Sequence, residues 1–295
     1  MCKQLGVTRA AYYKWLNRGI PDAEKENEII AKLIREYDDR FNHILGYRRM
    51  TDWINRLNGK NYSRNRVHRI MKAFHIHSVI RRKKKKYTNS TPETTAENAL
   101  SRDFNAEHPN QKWATDVTEF KWYEGPFAHK LYLSAILDLY DRSSVAYVVS
   151  SRNDNRLVFD TFEKAVQANP DAHPLFHSDR GFQYTGKTFQ CKLSQQAMTQ
   201  SMSRVGHCID NCPTEGFWGI LKAEMYYLTR FSNEDELRTA IDQYIHFYNY
   251  ERFQERFGTR TPMEVRSSAL AAEKPMQFPI AENKRIQQYK AKFAA

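Results

Sequence analysis

Three carboxylates in this chain stand where a charge needs a reason. Asp116 falls in the middle of WATDVTEF, between apolar residues, where an ionised group is costly unless it is paired or bound to metal. Asp179 follows the apolar run Pro174-Leu175-Phe176 and precedes Gly181, at the expected C-terminal end of a strand, where α/β sheets gather their ligand sites. Glu215 comes two residues after Pro213 in the expected helix PTEGFWGILKAEMYY, in a first turn that tolerates proline and whose dipole favours an anion. Brought within about 5 Å of one another, each pair would repel by roughly 3 kcal/mol at an effective dielectric of about 20. Only bound cations or strongly raised pKa values would relieve that. All-oxygen ligands select hard ions, so Mg²⁺ or Mn²⁺ is expected rather than Zn²⁺. Two such ions about 3.5–4 Å apart would suit phosphoryl displacement. Taken alone, three acids among thirty-four do not single out a site.

Lys222 adds a cation. It lies seven residues, about two turns, after Glu215, so both project from one face of the helix, with Gly219 between them keeping that face open. Phe217, Trp218, Leu221 and Met225 are left to supply the core contacts. An ammonium beside an anionic metal site is suited to holding a phosphate.

The elements that must carry these residues are legible in outline. KWATDVTEFKW, LYLSAILDLYD and SVAYVVSS read as three antiparallel strands separated by turn residues. Asn155 to Ala168 reads as a helix, PLFHSD as a short buried strand, Thr185 to Gln196 as a helix and TQSMS as a fifth strand. Three strands followed by alternating helix and strand indicate an α/β domain on a mixed sheet. Asp138, at the end of a strand, fits a turn-forming role before Arg142-Ser143 better than a metal ligand. Tyr248, Asn249, Tyr250 and Arg252 fit either core packing or a clasp on a ligand.

Upstream the pattern is helical. Thr8 should cap a helix that buries Ala11, Trp15 and Tyr12, and with the turn at Leu5-Gly6-Val7 it reads as a shortened helix-turn-helix. Ile29, Ile30, Leu33, Ile34 and Tyr37 form the stripe of a second helix. Met50, Trp53, Ile54 and Leu57 belong to a third that stops at Asn58-Gly59. Ser63 caps a fourth, with Val67, Ile70, Met71 and Phe74 inward. Arg64, Arg66 and Arg69 take its outer faces, as a helix entering a major groove requires; a merely solvated basic helix is the alternative.

Charge placement favours a polyanionic partner. The net charge is +12, and residues 1–100 hold 22 Lys/Arg against 10 Asp/Glu, whereas the remainder is balanced. The run Arg81, Arg82, Lys83, Lys84, Lys85 and Lys86 cannot fold on its own against its mutual repulsion, and reads as a linker or as an arm that tracks phosphates. No segment approaches the roughly 20 apolar residues of a membrane span. No signal peptide is visible and the four cysteines are irregularly spaced, so a cytoplasmic protein without a disulfide framework is expected.

At these residues the sequence resembles a known family. WATDVTEF, LYLSAILDLYDR, HSDRGFQYT, SMSRVGHCIDNCPTEGFWGILKAEMYY and IDQYIHFYNYERFQERFGTRTPMEVR are similar to the OrfB transposases of the IS3 family of bacterial insertion sequences, which share a catalytic core with retroviral integrases. The thirty-five residues between Asp179 and Glu215 match the family spacing, and GYRRMTDWINRLNGKNYSRNRVHRIM resembles its N-terminal helical domain. The resemblance implies a ribonuclease H-like α/β core with a mixed five-stranded sheet, preceded by an all-α, helix-turn-helix-like region. The expected divisions are a partial helix-turn-helix (1–20), a helical DNA-binding domain (21–80), a basic and polar linker (81–108), the core (109–230) and a C-terminal helical extension (231–295).

The resemblance further implies that Asp116, Asp179 and Glu215 are catalytic metal ligands and that Lys222 contacts DNA. The implied partners are double-stranded DNA (transposon ends and target), further copies of the chain on that DNA, and a protein from an upstream reading frame. Two other classes stay open: a DNA-binding remnant without catalysis, and a ribonuclease H-type nuclease. The chain also departs from the family pattern. It has no leucine-zipper heptads and begins inside a helix-turn-helix, as a second-frame product would. His207, Cys208 and Cys212 are too few and too poorly spaced for a zinc site, and His75-x-His77 is followed by no CxxC.

Overall fold

Thr8 opens the first helix, α1 (Arg9–Leu16), by accepting a hydrogen bond from the Ala11 N–H at 3.2 Å. The computed structural model describes residues 2–80, 100, 103–203 and 211–280, and the chain divides into two units after Ile80. The cap is as expected, but the burial is not. No residue of α1 is buried, and Trp15 is 57% exposed. Among the described residues the three helices that follow close their core without it. These are α2 (Asp22–Arg40), α3 (Tyr47–Asn58) and α4 (Arg64–Ala73).

Ile30, Ile34 and Tyr37 of α2 meet Met50, Trp53 and Ile54 of α3 and Val67, Ile70 and Met71 of α4 in the interior. Gly59 stops α3 in the left-handed conformation, with φ of 59°, and Ser63 caps α4. Ile29, Leu57 and Phe74 were expected inside and instead face outward, at 53%, 49% and 43% exposure. Ile29 sits about 100° around the helix from Ile30, beyond the stripe that Ile30, Ile34 and Tyr37 already fill. Phe74 falls just past the last turn of α4 and lies beneath the Arg35 guanidinium, 4.3 Å from its ring centre.

The second unit is built on a five-stranded sheet. Its strands are β1 (Lys112–Glu124), β2 (Phe127–Asp138), β3 (Ser144–Ser150), β4 (Leu175–Ser178) and β5 (Thr199–Met202), in the order β3-β2-β1-β4-β5. The first three pair antiparallel, and β4 and β5 join parallel to β1. The five strands lie where the sequence placed them. Because alternate residues face opposite sides, β1 and β2 feed two cores. Trp113, Ile136 and Phe176 pack with α5 (Asn155–Ala168) and α7 (Lys187–Gln195), which follows the short helix α6 (Phe182–Thr185). Phe120, Leu131, Leu133 and Leu137 pack on the other face with Phe217, Trp218 and Leu221 of α8 (Cys212–Glu224) and with α9 (Glu234–His246). Each fully buried large side chain contributes about 1.5–3 kcal/mol. No helix among the described residues is long and apolar enough to cross a membrane.

A π-helical turn, Phe247–Glu251, follows α9 and leads to α10 (Pro262–Leu270), which opens on a Thr261–Glu264 capping box. Arg266 of α10 ties the end of the chain to the sheet. Its guanidinium donates to Asp138 Oδ2 and Asp141 Oδ2, each at 2.9 Å, and also to Asn110 and Asn169. Asp138 and Asp141 each accept the N–H two residues ahead, from Tyr140 and Ser143, so both are turn-formers. Arg266→Met should strand two buried carboxylates and cost about 3–5 kcal/mol in denaturant unfolding, with Asp141→Asn restoring part of the loss. A cost under about 1 kcal/mol, the range of a surface pair, would show that this network does not hold α10.

Candidate active site

The pairing of β1 with β4 sets two of the three acids side by side. Lys112, Trp113 and Ala114 are in register with Leu175, Phe176 and His177. Carried two residues further, past the end of β4, the same register brings Asp116 level with Asp179 on strands that run about 4.8 Å apart. On its other side Asp116 is paired with Ala135 of β2, whose small side chain leaves room above the sheet.

Helix α8 runs along β1 in the same direction and brings the third acid. Asn211, just before α8, donates from Nδ2 to the Thr115 carbonyl at 3.3 Å, and the Thr214 hydroxyl donates back to the Asn211 carbonyl. Trp218 donates its indole N–H to Asp116 Oδ2 at 3.1 Å. Further along, Lys222 lies over the Phe120 ring, 5.1 Å from its centre, and the Tyr226 hydroxyl bonds to the backbone of Lys121. Glu215, one turn before Trp218 and half-buried, therefore stands over the Asp116 end of the strand. The far end of α8 is anchored by Glu224, which is bound by Arg252 at 2.9 and 3.0 Å and by the Tyr244 hydroxyl at 3.0 Å.

The electrostatics couple Asp116 to both of the other acids. Burial pushes the Asp116 carboxyl up to about 7, and the charges of Asp179 and Glu215 add to that. Hydrogen bonds from the Val117 N–H (2.8 Å) and from Trp218 oppose the rise. Asp179 is also raised by burial, against the Gly181 N–H that donates to its Oδ1 at 2.9 Å. Burial lowers the Lys222 ammonium, while Asp116 and Glu119 support its charge. The oxygens of the three acids do not all close to within 4.8 Å; among the described residues that spacing is met by Asp38, Asp39 and His43. The donor set, carboxylates only and partly withdrawn from water, fits a hard divalent cation.

Three contributors to the site were not legible in advance. Trp218 was assigned to the core, and it is buried, yet its N–H also fixes Asp116; its i+3 spacing from Glu215 was the available signal. Gly181 is closely fitted, because a Cβ there would lie 3.0 Å from Asp179 Oδ1 and 3.0 Å from Gln183 Oε1, so those side chains would have to give by a few tenths of an ångström. Tyr184, fully buried, meets the Thr115 hydroxyl at 3.2 Å beneath the two aspartates, whose charges both act on its phenol. No sequence pattern marked it.

Other candidates fare differently. Arg66 donates within its own unit to Glu26, Asn27 and the Ala23 carbonyl of α2, and so braces α4 against α2. Arg64 lies 3.6 Å from Asp52, and Arg69 lines a cleft between α2 and α4. The run Arg81 to Lys86, His207 and Cys208 lie outside the described residues. Tyr248 and Asn249 are buried, Asn249 bonding both the N–H and the carbonyl of Ser144, and Arg252 is held by Glu224. Tyr250, stacked on His246, remains exposed.

The chain is similar to known proteins over most of its length. Residues 24–84 match an HTH-like domain, and residues 106–208 and 215–270 match two integrase core domain families. The chain is 35% identical over 262 residues to the putative transposase InsK of insertion sequence element IS150 from Escherichia coli (strain K12), spanning 88% of this chain and 90% of that protein. It is 34% identical to the 31 kDa protein of insertion element IS600 from Shigella sonnei, spanning 90% and 97%. The HTLV-2 integrase catalytic core domain, solved in complex with magnesium, aligns at a TM-score of 0.42 and 19% identity over 53% of this chain and 95% of that one.

The close fit at Gly181 makes a direct prediction. Gly181→Ala should displace the Asp179 carboxylate by a few tenths of an ångström and weaken Mn²⁺ binding about tenfold in calorimetry, with the thermal melt little changed. An unchanged affinity would show that this glycine does not set the carboxylate.

Proposed function

Starting from a chain that belongs to the IS3-type family of insertion-sequence DNA transposases, we propose that Asp116, Asp179 and Glu215 hold two Mg²⁺ or Mn²⁺ ions and carry out its strand transfer. The observation that supports this most is the Asp116 carboxyl, pushed up to about 7 by burial and by the charges of Asp179 and Glu215. A buried carboxylate that feels the charges of two other acids, with Lys222 nearby, is poorly matched to a purely structural role. When bound, the ions supply the positive charge that favours attack by an oxygen nucleophile and departure of the displaced oxygen.

The chain's own groups do the rest. Trp218 and the Val117 N–H fix the Asp116 carboxylate by one oxygen each, so its orientation is set before DNA arrives. The Gly181 N–H does the same for Asp179. Lys222, less hydrated than a surface lysine because of its partial burial, pairs with a phosphate of the bound strand. The reaction is phosphoryl transfer twice over. Water attacks the phosphodiester at the transposon end and releases a 3′-hydroxyl; that hydroxyl then attacks a second phosphodiester and displaces its 3′-oxygen. Ser178, whose hydroxyl donates to the Asp179 carbonyl, is a neighbour and not a nucleophile.

The DNA partners follow from the same reading: the helical first unit and the basic run Arg81 to Lys86 engage the duplex, with Arg69 better placed than Arg66 to do so. Further copies of the chain would assemble on that DNA, joined by a protein from an upstream frame.

Labelled transposon-end duplex incubated with Mg²⁺ or Mn²⁺ tests the assignment. The wild-type chain should nick and join it, and Glu215→Gln should lose about a hundredfold or more, since a ligand to such ions is worth several kcal/mol in the transition state. Equal activity in the variant would refute the catalytic role of Glu215.

A further inference from the structure

The first unit holds a second cluster with ligand character, well apart in sequence from the acids of the core. Asp38 and Asp39 end α2, and His43 follows in the turn that leads to α3. One ligand atom from each lies within 4.8 Å of the other two. Asp38 is only 7% exposed. Its Oδ2 meets His43 Nδ1 at 2.7 Å, whereas its Oδ1 is closed to solvent and has no hydrogen-bond partner.

That second oxygen is the informative one. A buried carboxylate oxygen left without a donor costs free energy, and such an orphan calls for an ion or a water that completes it. The location adds to the cost. Two adjacent carboxylates at a helix C-terminus stand against the negative end of the helix dipole, and His43 offers at most one positive charge to offset both. The turn is nonetheless held in place. The His43 N–H donates to the Asp38 carbonyl at 2.8 Å, and the His43 carbonyl accepts from the Val79 N–H at 3.0 Å.

We infer that Asp38, Asp39 and His43 form a binding site for a first-row divalent ion of the zinc type, distinct from the ions of the catalytic acids. Mixed imidazole and carboxylate donors suit Zn²⁺ over Mg²⁺, which prefers oxygen alone. The ion takes the place of the proton in the 2.7 Å contact between His43 Nδ1 and Asp38 Oδ2, and Asp38 can offer Oδ1 as its second donor. Asp39 and His43, both on the solvent side, give the ion its way in, and water completes the coordination. Bound there, the ion pins the end of α2 to the turn before α3 and so stiffens the three-helix unit.

The test uses the full chain with Asp116→Asn and Asp179→Asn in place, so that the core acids do not contribute. Zn²⁺ alone is titrated calorimetrically and the melting temperature is followed alongside. The expected result is a Zn²⁺-dependent rise in melting temperature, with an affinity that falls about tenfold or more in His43→Gln and again in Asp39→Asn. Asp39 is exposed and its substitution leaves the packing intact, so it reports even if His43→Gln unfolds the turn. Equal Zn²⁺ affinity in the Asp39→Asn chain, or no Zn²⁺-dependent shift in the parent, overturns the inference.

Discussion

Like charges cannot be gathered in a half-buried site without an opposing charge, and the second unit is arranged around that constraint. The parallel pairing of β1 with β4 brings Asp116 and Asp179 level at the point where β4 ends. Had the pairing slipped by one residue, every side chain of β4 would have turned to the opposite face, and the two acids would no longer share a site. The sheet register is therefore the primary determinant, and the aromatic cores on both faces serve to keep it.

Helix α8 answers the same constraint from above. It must stay close enough to β1 for Glu215 to share the field of Asp116, yet it brings a third negative charge into that field. Phe217 and Leu221 bind it to the sheet through apolar burial, and Trp218 adds a hydrogen bond aimed at the Asp116 carboxylate. At its far end the buried Glu224–Arg252 pair and the Tyr244 hydroxyl join it to the C-terminal extension. The π-helical turn that places Tyr248 against Phe217 and Asn249 against Ser144 belongs to the same brace. A chain lacking residues beyond α8 would retain all three acids and lose much of what holds the third in position.

Much of this was legible in the sequence because it depends on strong local patterns. The five strands, α5 and the helix bearing Glu215 follow from alternation, periodicity and Pro213, and the turn-forming role of Asp138 follows from its place before Arg142-Ser143. What escaped was set by tertiary partners. Trp15 reads as a core residue by helical spacing, yet it is exposed, and spacing alone carries no information on what covers a helix. Arg66 reads as an outer-face cation, and the pattern did not foresee that Glu26 and Asn27, about forty residues away in the chain and adjacent in space, would accept from it. Trp218 and Tyr184 act on the site through single polar atoms on otherwise apolar side chains, which a hydrophobic pattern counts only as core.

The central claim, that register and α8 together make Asp116, Asp179 and Glu215 one metal-holding site, is tested most directly by metal-directed cleavage of the chain. Fe²⁺ substituted for the hard divalent ion, with peroxide and ascorbate, cuts the backbone near wherever it binds. Apart from any cut near Asp38 and His43, the account predicts cuts at three separated places, around residues 116, 179 and 215, these three suppressed together by excess Mg²⁺. Cleavage at one or two of these places, or at all three without common suppression, would contradict it.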